Sequence, residues 1–285
     1  MCRFVGYLGE EILLGDILTA PENSLIHQSF GARERREPLN GDGFGVGWYV
    51  ASAFEPALFK SITPAWNNQN LLDLASHLGS SCFFAHIRAA SPGMIVAESN
   101  CHPFRCRRYL WMHNGSVAGF RAMRRKLCES LPDELYDAIQ GTTDSEHAFA
   151  VFMNIIGDPN ASLSAHEMGE AMLETIAKLQ GWAALGAEEE PSLYNFAVTD
   201  GKSMASVRYV SSPLREPISL YYSRPGAYRF RNGEPMIVNG KQDTGVILAS
   251  ERLTSRPADW IRVAPNHVLT IDQDLNAKMS LMPGF

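Results

Sequence analysis

Met1-Cys2-Arg3-Phe4-Val5-Gly6-Tyr7-Leu8 puts a thiol one residue behind the initiator methionine and an apolar run directly after it. Methionine aminopeptidases remove Met1 when the second residue is small, so the mature chain is expected to begin at Cys2. A terminal cysteine carries its nucleophile and a candidate base on one residue. Its α-amino group titrates at about 7.7–8.0 and a free thiol at about 8.5, so the amine can take the thiol proton near neutral pH. That is the N-terminal version of a paired nucleophile and base. Alone, the stretch reads as a chance cysteine on a buried first strand, and what overturns that reading lies downstream.

Composition removes several classes. A chain of 285 residues can bury a full core as one large domain or two small ones. Its 45% hydrophobic and 20% charged residues are ordinary for a globular protein. The net charge of −6 argues against bulk binding to nucleic acid or to an anionic membrane. Arg3 and Glu10-Glu11 interrupt the first apolar stretch, so no secretory signal is expected. No apolar run reaches the ~18–20 residues of a membrane span. Five cysteines, an odd number without repeated spacing, do not form a disulfide framework. A reducing cytoplasm, which would keep Cys2 a thiol, fits best.

Strands and helices are expected in mixed order. Residues 3–8, 44–50, 81–87 and 109–112 read as buried strands. Helices are expected at about 67–78, 116–129, 145–156 and 165–180, the third opening on Thr143 or Asp144 as its N-cap. From Ser192 onward short strands alternate with turn signals such as Asp200-Gly201, Pro225-Gly226 and Asn232-Gly233. Glu188-Glu189-Glu190-Pro191 reads as a solvated loop. No linker divides the chain, so residues 1–285 are expected to form one domain.

Four polar clusters sit at strand ends or in loops, where catalytic groups are usually displayed. Asn40-Gly41-Asp42-Gly43-Phe44-Gly45 leads into a strand and lacks the P-loop lysine, so it is a tight turn able to crowd a small ligand rather than a nucleotide site. His86-Ile87-Arg88-Ala89-Ala90-Ser91 releases an arginine from a buried strand; its planar fork suits a carboxylate, either of a ligand or of a structural ion pair. Met112-His113-Asn114-Gly115 offers an amide side chain beside an unencumbered backbone N–H, a pair that can donate to one oxyanion, or forms an ordinary Asn-Gly turn. Gly141-Thr142-Thr143-Asp144-Ser145-Glu146 opens a helix, where Asp144 either caps it or accepts from a substrate ammonium. With Arg88 on an α-carboxylate and Asp144 on an α-ammonium, the site would hold an amino-acid head group. Cys2, Asn114 and Gly115 would then meet an acyl group at the far end of its side chain. A γ-glutamyl amide fits that description, glutamine being the simplest.

Cys2, His86-Ile87-Arg88, Asn100-Cys101-His102-Pro103-Phe104, His113-Asn114-Gly115 and Thr143-Asp144-Ser145-Glu146 together resemble the class II glutamine amidotransferases. Ile62–Leu71, Asn40–Gly45 and Asn195–Gly201 are similar to one branch, which holds the amidotransferase-like subunit of the fungal glutathione degradosome. A shorter relative is the γ-glutamyl hydrolase of ergothioneine biosynthesis. The resemblance runs from residue 1 to about 272. It implies an α+β fold, a four-layer αββα N-terminal-nucleophile sandwich. It further implies Cys2 as nucleophile, Arg88 and Asp144 as head-group ligands, an oxyanion hole at Asn114 and Gly115, and pocket positions for Ser91 and His102. The hydrolase fold would use nearly the whole chain, and no P-loop or Rossmann signature accompanies it. The chain is therefore expected to hydrolyse the amide alone or to work with a separate peptidase or synthase subunit, without a cofactor.

Other readings stay open at this point. Cys101, His102, Cys106 and His113 could be imagined as a metal site, but no paired CxxC or HxxxH unit is present. N-terminal-Cys acylases of other amides share the nucleophile without needing an Arg/Asp pair. A non-catalytic γ-glutamyl sensor would have no use for Cys2 or Asn114. Arg105–Arg108 and Arg121–Lys126, where Arg121, Arg124 and Arg125 share one helical side, would serve either a partner or plain solvation.

Overall fold

The alternation of β1 (Arg3–Leu13) organises the molecule. Phe4 and Leu8 point to one side, where they pack with Phe84, Leu110, Met112, Met204 and Leu248; Val5 and Tyr7 point to the other, against Leu14, Ile17, Leu25, Leu71 and Ala75. A strand whose two faces are both apolar must be covered on both, and burying each Phe or Leu contributes roughly 1.5–3 kcal/mol. Gly6 lies where a Cβ would press on the Phe84 ring at 2.8 Å, so the lack of a side chain there permits close packing. A computed structural model describes residues 2–34, 39–90, 93–184, 190–224, 226–231, 234–238 and 244–284, and structural statements below concern these.

One antiparallel sheet runs β13 (Trp260–Arg262), β9 (Tyr221–Ser223), β12 (Gly245–Ala249), β1, β4 (Gly79–Ile87), β2 (Phe44–Trp48) and β3 (Ala57–Ser61). The other runs β15 (Ala277–Leu281), β14 (His267–Ile271), β8 (Met204–Val210), β7 (Leu193–Thr199), β6 (Tyr109–Ser116) and β5 (Phe104–Cys106). A separate hairpin joins β10 (Ala227–Arg231) to β11 (Glu234–Val238). The outer face of the first sheet is covered by α1 (Gly15–Leu18), α2 (Leu25–Gly31) and α3 (Gln69–His77). The outer face of the second packs Trp111, Phe196 and Val207 against Phe149, Phe152, Met168 and Met172 of α6 (Asp144–Ile156) and α7 (Ala165–Ala183). At the end of that layer lie α4 (Phe120–Glu129) and α5 (Asp133–Asp137). The layer order is αββα, as expected from the sequence.

Differences from the sequence reading are local. β6 continues to Ser116, so Asn114-Gly115 lies within a paired strand rather than in a turn, and α4 begins four residues later than expected. Of the two residues expected to cap α6, Thr143 does so, its hydroxyl accepting from the Glu146 N–H. The turn signals at Pro225 and Asn232-Gly233 fall outside the described residues, as do residues 188 and 189 of the 188–191 loop, whereas Asp200-Gly201 is a turn between β7 and β8. Among the described residues no helix is long and apolar enough to cross a membrane.

Candidate active site

Strand alternation delivers three of the expected residues to one end of the space between the sheets. β1 pairs with β4 at Phe4–His86 and Arg3–Ile87, and Phe4 and Phe84 face the inter-sheet layer. Two residues beyond Phe4 is Cys2, and two beyond His86 is Arg88. The Cys2 thiol lies against the next residue of that exit, with the Ala89 N–H 3.5 Å from Sγ and the Ala89 carbonyl at 3.7 Å. On the facing sheet Leu110 and Met112 point into the same layer, and two residues on stands Asn114. The His86 Nε2–H donates to the His113 carbonyl at 3.2 Å, which ties the end of β4 to β6 beside Asn114. β5 pairs with β6 only at Tyr109–Trp111, so from Met112 onward β6 has a strand on one edge alone.

Several polar atoms gathered there have no hydrogen-bond partner among the described residues. Arg88 is 3% exposed; its Nη2 donates to the Ile95 carbonyl at 3.2 Å, while Nη1 is buried without a partner. No carboxylate lies within ion-pair distance of it among the described residues, which removes the structural salt bridge. The glycine-rich turn splints this exit: Asp42 N–H donates to the Arg88 carbonyl, Arg88 N–H to the Gly43 carbonyl, and Ala90 N–H to Asp42 Oδ2. That turn crowds protein rather than ligand, since Cβ atoms on Gly43 and Gly45 would strike Cys101 Sγ and the His102 carbonyl. Asn114 is fully buried with neither Oδ1 nor Nδ2 hydrogen-bonded. An unpaired buried amide costs about 1–3 kcal/mol, so folding alone does not account for it. Gly115 has φ +152°, and a Cβ there would collide with the Leu193 carbonyl, so only glycine carries the strand through this point.

Asp144 approaches the end of β6 from the first turn of α6. Its Oδ2 accepts from the Val117 N–H and Oδ1 from the Ser145 N–H, both at 2.8 Å. Two lone pairs per carboxylate oxygen leave capacity for a ligand ammonium. Ser145 Oγ lies 2.8 Å from His113 Nδ1, and His113 Nε2–H donates to the Leu193 carbonyl; this tautomer follows from the partners. Asn100, the first residue of the Asn100–Phe104 motif, latches two loops. Its Nδ2 donates to the Ile95 carbonyl and Thr142 Oγ1, and its Oδ1 accepts from the Thr142 N–H. The loop that holds Arg88 and the turn that starts α6 are thereby joined.

His102 stacks on His86 with ring centroids 4.2 Å apart and touches Phe104 edge-on; its two ring nitrogens have no hydrogen-bond partner. Burial lowers both histidines, His86 to about 3, so they are neutral imidazoles. Ser91 lies outside the described residues. Cys101, His102, Cys106 and His113 form no metal cluster; among the described residues no group of three potential ligands exists. All five cysteines are free, and burial raises Cys82 to about 12 and Cys101 to about 11, so neither is a ready nucleophile. Of the arginines on α4, Arg125 pairs with Glu129 and Arg124 donates to His147 Nε2.

A strand-exit thiol beside a guanidinium with one arm unpartnered and an amide without a partner, held between two sheets, defines a class. Residues 14–280 match the family of class-II glutamine amidotransferases, and the chain belongs to that family. It is an enzyme with the N-terminal-nucleophile sandwich. More particularly, it is 41% identical over 298 residues to the probable glutamine amidotransferase DUG3 of Saccharomyces cerevisiae, across 95% of this chain and 82% of that one. It is 31% identical over 170 residues to the gamma-glutamyl-hercynylcysteine sulfoxide hydrolase of Mycobacterium tuberculosis, covering 58% of this chain and 71% of the relative. A class-II glutamine aminotransferase domain protein from Silicibacter pomeroyi superposes with TM-score 0.68 at 28% identity, over 99% of each chain. The Bacillus subtilis glutamine phosphoribosylpyrophosphate amidotransferase shares the fold with TM-score 0.64 at 15% identity, over all of this chain and 50% of that one.

Proposed function

We propose that the chain, acting as one domain over residues 1–285, hydrolyses a γ-glutamyl amide bond and releases glutamate. The reading rests above all on one observation: the buried Asn114 amide and the Arg88 Nη1 are both without partners at the strand ends that carry Cys2. A ligand with a carboxylate at one end and a carbonyl at the other would satisfy both. The substrate α-carboxylate sits on Arg88 and its α-ammonium on Asp144. His102, stacked on His86, is assigned to the pocket wall.

With Met1 removed, the Cys2 amine takes the thiol proton and Sγ adds to the side-chain carbonyl. The oxyanion is held by Asn114 Nδ2 and the Gly115 N–H. The C–N bond breaks as the amine proton passes to the leaving nitrogen, giving a γ-glutamyl thioester; water then adds at the same carbon and the thiolate leaves. Glutamine and γ-glutamyl peptides such as glutathione present the same head group. The name of the mycobacterial relative states γ-glutamyl hydrolysis, which supports this chemistry. A separate peptidase or synthase subunit receiving the released amine or ammonia, in a reducing cytoplasm, completes the proposal. The test is a hydrolysis screen of processed enzyme across γ-glutamyl compounds, with and without candidate partner subunits, reading out glutamate. Release of glutamate from free but not N-acylated γ-glutamyl amides is expected. Equal cleavage of both would shift the assignment to an acylase of other amides.

A further inference from the structure

A nucleophile on the first residue of a chain has a positioning problem, because termini fray unless they are tied down. Here the tie is ionic and buried. Arg3 and Glu251 are each 1% exposed, and Arg3 Nε donates to Glu251 Oε1 at 2.6 Å. A second arm of the same guanidinium, Nη1, donates to the Cys2 carbonyl at 2.9 Å. Glu251 also accepts the Arg33 N–H on Oε2 at 2.9 Å and the Glu34 N–H on Oε1 at 3.2 Å. One residue away the chains are stitched again: Phe4 N–H donates to Ser250 Oγ, and Ser250 N–H to the Phe4 carbonyl.

We infer that Arg3 and Glu251 are positioning residues for the Cys2 nucleophile: the guanidinium bridges the Glu251 carboxylate to the Cys2 carbonyl and so fixes where the amine and thiol of residue 2 point. The assignment rests on the proposed role of Cys2. Packing β1 on β12 requires no buried ion pair, since the neighbouring pairs Val5–Ala249 and Tyr7–Ile247 are apolar. Residue 2 has no strand partner on the β12 side to set its backbone, and the Arg3 fork supplies that constraint. The same carboxylate holds the backbone at residues 33 and 34, so the segment after α2 is set by the group that sets the nucleophile.

The experiment uses full-length enzyme whose loss of Met1 is verified by mass, with glutamine or the best γ-glutamyl substrate. Arg3→Lys keeps a cation for Glu251 but cannot reach both acceptors; Arg3→Gln/Glu251→Gln removes both charges together. Because Arg88 and Asp144 are untouched, kcat should fall about tenfold to a hundredfold while KM stays within about threefold. Alkylation of Cys2 by a saturating glutamine-analogue electrophile should slow by the same factor. An Arg3→Lys enzyme with wild-type kcat and alkylation rate overturns the inference, and so does a rise in KM at unchanged kcat. If the double variant does not fold, Arg3→Lys decides alone. Cys2→Ala in parallel separates the two ideas: a fully active Cys2→Ala removes the nucleophile assignment, whereas an inactive Cys2→Ala beside a fully active Arg3→Lys removes only the positioning role.

Discussion

The space between the two sheets has a dry middle and a polar end, built by the same strands two residues apart. In the middle Leu8, Cys82, Phe84, Leu110, Met112, Met204, Leu248 and Leu269 close on one another without a cavity-facing charge. At the end the same alternation places Cys2, Arg88 and Asn114, and buried polar atoms there lack partners. The middle explains stability. The end is a cost to stability, which a fold retains where a ligand supplies the missing hydrogen bonds. The contrast lies along a single strand: Met112 in the apolar layer and the unpartnered Asn114 differ by one step of the pleat.

The largest expected effect falls on turnover. Cys2→Ala should abolish it, with the thermal midpoint nearly unchanged, because residue 2 is only partly buried and packs in none of the clusters. Steady-state kinetics with calorimetry on the same sample checks both halves.

Asn114→Leu sharpens the comparison by extending the dry middle into the polar end. It should lower kcat by roughly 10²–10³-fold through loss of an oxyanion donor. The fold should hold or gain stability, since the unpaired amide is gone. Met112→Asn does the reverse, placing an unsatisfied amide in the middle and destabilising by about 1–3 kcal/mol beyond the lost packing. Urea unfolding of both variants would break the account if the two moved stability in the same direction.

Head-group contacts come next. Arg88→Met should chiefly raise KM, with kcat/KM down by one to two decades, as losing a charged hydrogen bond costs about 1.5–3 kcal/mol. Asp144→Ala should do the same and also lose about 1 kcal/mol of stability, because the Val117 and Ser145 N–H groups lose their acceptor. Michaelis–Menten constants with paired denaturation curves distinguish the two.

The last effect is on stability against pH. His86, His102 and His113 are held neutral by burial, with pKa values below the unfolded range. The unfolded chain therefore binds more protons once pH falls below about 6.5. Stability is full above that pH and falls as pH drops toward the lowered folded values, because the unfolded chain then takes up protons that the buried rings do not. A midpoint that stays level from pH 7 to 5 would contradict the buried neutral rings.

The sequence carried the polar end well because its residues lie in short local motifs at the ends of apolar runs: Cys2, His86–Arg88, Asn114-Gly115 and Thr143–Glu146 are each readable within a few positions. It carried less where the signal is weak or distant. α1 has four residues and no periodicity, and the stripe of α2 is broken by the buried polar Gln28 and Ser29. Asn114-Gly115 looks like a turn, yet pairing with Asn195 and Tyr194 keeps it in a strand. The Arg3–Glu251 pair joins residues 248 positions apart, which only the β1–β12 register reveals. The Asn100 latch likewise depends on loops meeting in space.

The central claim, that the polar end receives an amino-acid head group and presents its far end to Cys2, is tested most directly by covalent labelling. Processed enzyme treated with 6-diazo-5-oxo-L-norleucine should take up one label per chain, mapped by peptide mass to Cys2, with Cys82, Cys101, Cys106 and Cys128 unmodified and with protection by glutamate. Label spread over several cysteines, or absent from Cys2 while the enzyme is active, would contradict it.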